Sequence, residues 1–119
     1  MRLTNAKEEL LTHLTDSGKG VNDILCVEIT SDDDGEGMDR LRKLLVGYSE
    51  DDLIVFLGSL DFNYDSGYGG QELHGTIWYK DGTWSERGEY DGSEWWEYIK
   101  YPEIPNYLKE NYLKENYDN

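Results

Sequence analysis

Among 119 residues there are one cysteine, Cys26, two prolines and two histidines. A lone thiol closes no intrachain disulfide, which points to a reducing compartment. Basic residues are also scarce: Lys and Arg number 11 against 26 Asp and Glu, for a formal charge of −15 at pH 7. So negative a chain repels phosphate, which argues against direct binding of nucleic acid. No apolar run approaches the ~20 residues of a membrane-spanning helix. The first residues mix Lys and Glu with Leu, unlike an apolar leader. A cytoplasmic protein is therefore expected. Hydrophobic residues make up only 37% of the chain, partly offset by 4 Trp, 10 Tyr and 2 Phe. A chain of this length buries about two-thirds of its unfolded surface around one core. The expectation is a single domain over residues 1–113 and a frayed tail over 114–119.

Periodicity sketches the elements. Asn5 with Glu8 fits a helix N-cap, and Ala6, Leu10, Leu11 and Leu14 form one stripe that Gly18 and Gly20 end. Ile24 to Thr30 is β-branched and reads as a strand. Met38 to Val46 reads as a second helix, acidic first and basic later, with Leu41, Leu44 and Leu45 on one side. Leu53 to Tyr64 alternates at its even positions and reads as a strand bent at Gly58. Leu73–Lys80 and Thr83–Tyr90 flank Asp81-Gly82 and predict a hairpin with a two-residue turn. That register sets Tyr79 against Trp84 and Ile77 against Glu86, with Trp78, Thr76, Ser85 and Arg87 on the other face. Asp91-Gly92 is a second turn before Trp95 to Tyr101, an extended segment or the entry to a helix. The repeat NYLKE-NYLKE, Asn106 to Glu115, reads as a short C-terminal helix. The sum is an α+β domain: a mostly antiparallel sheet of four to five strands, with N-terminal, middle and C-terminal helices on one face.

Catalytic signals are thin. His13 and His74 are the only imidazoles, no Ser stands in a nucleophile elbow, and Cys26 lies in an apolar strand. Carboxylates are so many that naming any pair as acid and base carries little information. The chain therefore reads as a non-enzyme. For metals, Asp61-x-Asn63-x-Asp65 with Glu72 supplies the oxygens of a calcium loop, although Ser66 stands where the loop has Gly. A divalent-cation site, calcium above all, at Asp61, Asn63, Asp65 and Glu72 is the first alternative function.

Charge patterning carries the leading expectation. Asp23 to Asp39 holds seven acids and no base, and Asp81 to Ile99 holds six acids against Arg87 alone. Fields of one sign steer oppositely charged partners. Trp78, Trp84, Trp95 and Trp96 crowd the same region, and aromatics ringed by acids suit an Arg-rich partner. The expected function is an interaction protein, monomeric or weakly dimeric, that blocks a basic surface by nucleic-acid mimicry. Its contact residues would be Asp32, Asp33, Asp34 and Glu36, with Glu89, Asp91, Glu94, Trp95 and Glu97 as a second patch. The bland alternative is that the charge only keeps a small protein soluble.

One stretch carries a resemblance. The runs G-x-E-L-x-G-x-I-W-x-x-D-G-T-W, E-Y-D-G-S-E-W-W-E-Y and P-E-I-P lie between Tyr64 and Leu108. This segment, about 45 of the 119 residues, resembles small acidic proteins of unassigned role from tailed, mainly marine, bacteriophages. The resemblance implies an accessory protein acting inside an infected bacterium, and it transfers no catalytic residue.

Overall fold

The computed structural model describes residues 3–31, 40–67, 70–102 and 104–108. In chain order the elements are β1 (Leu3–Asn5), α1 (Ala6–Asp16), a 3-10 turn (Val21–Asp23), β2 (Ile24–Ser31) and β3 (Arg40–Leu44). They continue with α2 (Glu50–Ser59), β4 (Asn63–Asp65), β5 (Leu73–Tyr79), β6 (Trp84–Tyr90) and β7 (Ser93–Ile99). Five strands form one antiparallel sheet in the order β3-β2-β5-β6-β7, and β1 pairs with β4 beside it. The architecture is α+β, as expected.

Helix α1 follows its sequence signals. The Asn5 side chain accepts the Glu8 N–H at 3.0 Å, capping the first turn. Gly18, at φ +73°, turns the chain out through a pair of C-terminal bonds, Gly18 N–H to Thr15 and Lys19 N–H to Leu14. Ala6, Leu10 and Leu14 are buried. They join Val27, Ile29, Leu73, Ile77, Tyr79 and Trp96 from one face of the sheet. Leu53, Phe56 and Leu60 of α2 and its exit turn complete the same core.

Two segments exchange the identities expected of them. Residues 53–59, read as strand, belong to α2, while residues 40–44, read as helix, form β3. The Ser49 hydroxyl accepts the Asp52 N–H at 3.1 Å and the Asp52 carboxylate accepts the Ser49 N–H at 3.0 Å, a complete capping box. Leu53, Phe56 and Leu60 follow the helical period and are buried, whereas Ile54 and Val55 point into solvent. In β3, Arg42 and Leu44 face the core and alternate with the exposed Leu41 and Lys43. Pairing with β2, Ile29 opposite Arg42 and Val27 opposite Leu44, fixes this segment as a strand.

The hairpin β5–β6 forms one residue out of its expected register. The connection has three residues, because the Tyr79 N–H donates to the Thr83 carbonyl at 2.9 Å and Gly82 sits at φ +89°. Trp78 therefore opposes Trp84, Ile77 opposes Ser85, and Thr76 opposes Glu86. A one-residue slip sends every β6 side chain to the other face. Ser85 and Arg87 go inward, and Trp84 and Glu86 go outward. Between β6 and β7 the turn at Asp91 and Gly92 is as expected, with both residues at positive φ. The expected C-terminal helix shows a helical turn at residues 106–108, and its continuation lies outside the described residues.

Candidate functional site

The two faces of the sheet differ in kind. The inner face carries a polar network under α1. Arg87, 1% exposed, donates to Glu9 at 3.0 Å and to Glu94 at 2.8 Å. It also donates to the Tyr64 hydroxyl at 2.9 Å, which in turn donates to Glu9 at 2.6 Å. Burial, with the Glu9 hydrogen bond adding to it, pushes the Tyr64 phenol far above its ordinary range. The guanidinium also lies over the Trp96 ring, 5.1 Å from its centroid. Beside it, His13 Nε2 and Ser85 Oγ are 2.7 Å apart, and the Tyr79 hydroxyl is 2.7 Å from the same Oγ. That spacing matches a nucleophile and its base. Ser85 is 0% exposed, however, and a hydroxyl that no substrate reaches performs no acyl transfer. The triplet acts as a hydrogen-bonded link between helix and sheet.

On the outer face no helix packs among the described residues. Strand pairing lays its side chains out in rows. One row reads Cys26, Trp78, Trp84 and Ile99; the next reads Lys43, Glu28, Thr76, Glu86 and Glu97. Trp78 and Trp95 stay 40% and 39% exposed. Trp84 is half-buried, its ring meeting that of Tyr101 edge-on at 5.7 Å. Trp95 lies across Gly88, where an added Cβ would come within 2.8 Å of its indole nitrogen. Glu28, Glu86 and Glu97 are exposed, and none has a hydrogen-bond or ion-pair partner among the described residues. Burial raises the pKa of the Cys26 thiol, as suits a half-buried residue among apolar neighbours.

The expected contact residues distribute unevenly. Trp95 and Glu97 share the outer face, while Glu89 and Asp91 stand at the β6–β7 turn. Glu94 corrects the expectation: it is 4% exposed, and its carboxylate accepts from Arg87, the Glu72 N–H and the Leu73 N–H. It is an internal tie and leaves the surface patch. Asp32, Asp33, Asp34 and Glu36 lie outside the described residues. Glu28 and Glu86 were missed; for Glu86 the cause is the hairpin register, which decides whether Trp84 and Glu86 together face inward or outward.

Of the residues suggested as calcium ligands, Asp61 and Asn63 meet at the Asn5 side-chain amide. Among the described residues, no three His, Cys, Asp or Glu side chains gather as a metal site. Asn63 and Asp65 lie on β4, whose extended backbone spreads alternate side chains along a line instead of wrapping them round a point. Asp61 and Asn63 accept from the Asn5 amide at 2.9 and 3.3 Å, and Asp65 accepts the Gly67 N–H at 3.1 Å. His74 is exposed on the outer face, away from His13.

Comparison of the chain with family models, with curated proteins and with solved structures finds no match. Among the described residues, no helix is long and apolar enough to cross a membrane.

Proposed function

We propose that this chain is a non-enzymatic interaction protein that covers a basic surface of another protein, of the kind that otherwise holds nucleic-acid phosphate. The observation that carries this reading is the outer face, uncovered among the described residues, where Trp78, Trp84 and Trp95 alternate with Glu28, Glu86 and Glu97, none paired among those residues. Indoles left partly in water on a sheet face supply contact area at little entropic cost, and carboxylates between them select positive charge. Both features are needed. Solubility alone explains the acids and leaves the exposed tryptophans without a reason. The phage-accessory role implied by residues 64–108 belongs to the same reading, because occupying a partner's surface requires no catalytic residue.

The test is capture from bacterial lysate with the tagged chain, in parallel with a Trp78→Ala/Trp95→Ala variant. A basic protein retained at low salt, released at high salt and absent from the variant is the expected result. Equal retention by both proteins, or no salt-sensitive partner at all, overturns the proposal.

A further inference from the structure

We infer that the outer face seats an arginine side chain between Glu86 and Glu97, presented by a partner lying on the sheet as an extended basic segment. The inference rests on the interaction reading above and names the anchor of that interaction.

Glu86 and Glu97 oppose each other directly on neighbouring strands, β6 and β7. Residues so paired hold their Cβ atoms about 5 Å apart, and like charges at that spacing oppose folding. Neither carboxylate has a cation beside it among the described residues. Two residues along β6 from Glu86 stands Trp84, and two residues along β7 from Glu97 stands Trp95. At about 7 Å per two residues, both indoles border the carboxylate pair, one at each end. Thr76 of β5, opposite Glu86, continues the row as a small polar neighbour.

Charge complementarity selects the occupant. Two neighbouring carboxylates exposed to solvent call for a cation, and flat indoles beside them call for a flat one. Guanidinium meets both demands, since its donors form a planar fork and its faces stack on aromatic rings. Lysine offers a point charge with no plane to stack. A divalent metal ion needs oxygen ligands gathered around it, and the described residues gather no such set. An extended segment is favoured because the face is a sheet. Alternate side chains of a strand-like peptide point one way at the spacing of the rows below it.

The experiment titrates the full chain by calorimetry with three synthetic peptides, alike except for alternate Arg, Lys or citrulline. Wild type and Glu86→Gln/Glu97→Gln are compared, and the melting temperature of each is recorded. The expected result is Arg binding at least ten-fold tighter than Lys, no binding of citrulline, and at least ten-fold weaker Arg binding by the variant. The variant's melting temperature should equal or exceed that of wild type, because the change removes a repulsion. Arg and Lys binding equally, or Arg binding unaffected by the variant, overturns the arginine seat and leaves the basic-surface reading standing. Lack of Arg-peptide binding, with the basic partner still captured from lysate, also overturns the seat alone. Calcium displacing the Arg peptide at equimolar concentration overturns it in favour of an ion site.

Discussion

Arg87 Nη2 and Glu94 Oε1 lie 2.8 Å apart, with side chains 1% and 0% exposed. The pair sits on adjacent strands and is joined from above by Glu9 of α1. Glu94 also holds the backbone N–H groups of Glu72 and Leu73 at the start of β5. One carboxylate therefore ties β7, β6 and β5 together, and one guanidinium ties the sheet to the helix. Arg87→Met would leave Glu9 and Glu94 facing each other without a cation. Removing one partner of a buried ion pair costs about 3–5 kcal/mol. The expected outcome is a large fall in the urea midpoint at pH 7, with Arg87→Lys intermediate because it keeps charge and loses the fork. A loss below about 1 kcal/mol for Arg87→Met would sink this account.

His13 makes stability depend on pH. Burial holds its pKa below the ordinary 6.5, against the opposing pull of Asp16 and with a smaller push from Arg87. A folded-state pKa below the unfolded one means the unfolded chain takes up the proton first. Stability is then flat above the unfolded value and falls as pH drops from there towards the folded value. Melting temperatures measured from about pH 7.5 to 5 should decline for wild type and decline less for His13→Gln. Gln keeps a donor for Ser85 and carries no titrating group. Parallel profiles for the two proteins would refute a role for His13.

Much of the fold was legible, and its misreadings have physical causes. The α1 stripe, the β2 strand and the Asp91-Gly92 turn carry strong local signals and stand where expected, whereas the Asp81-Gly82 turn forms at its place with a different length. The segments 40–44 and 53–59 were exchanged because each is short, and its leucines fit both periods. Tertiary pairing decided: β3 finds β2, and α2 has a cap. The outer face was only partly legible. Its tryptophans were visible as a cluster, but Glu86 and Arg87 trade sides with one residue of hairpin register. Nothing local distinguishes a two-residue Asp-Gly turn from the three-residue connection that formed. Burial of Glu94 was equally invisible, since its partners, Arg87 and the backbone at residues 72 and 73, meet it only in the folded sheet.

The capping box at Ser49 is the feature that separates α2 from the strand reading, so it admits a direct test. Ser49→Ala removes the acceptor for the Asp52 N–H while leaving the buried Leu53 and Phe56 untouched. Loss of such a cap costs about 1 kcal/mol. Asp52→Ala should cost less than Ser49→Ala, since it removes only the return bond to the Ser49 N–H. Chemical denaturation of the two variants gives the order. Wild-type stability in Ser49→Ala would show that packing alone sets the helix start.

Two glycines on the sheet should respond in opposite ways to the same added methyl group. At Gly75 a Cβ would lie 2.4 Å from the Glu28 carbonyl oxygen and 3.0 Å from Ile29 Cα, both backbone atoms of the paired strand β2. Nothing there can rotate away, so Gly75→Ala must part β5 from β2 at the centre of the sheet. A fall in melting temperature on the order of 10 °C or more is expected, as for other severe core lesions. At Gly88 the same atom meets the Trp95 indole at 2.8 Å, a side chain on the open face with room to swing. Replacing a strand glycine also returns about 0.5–1 kcal/mol of backbone entropy. Gly88→Ala should therefore fold at near wild-type stability, shift tryptophan emission to the red as Trp95 lifts off, and weaken arginine-peptide binding several-fold. If Gly88→Ala bound the peptide as wild type does, Trp95 would have no part in the seat, and Trp84 would be left as its aromatic wall.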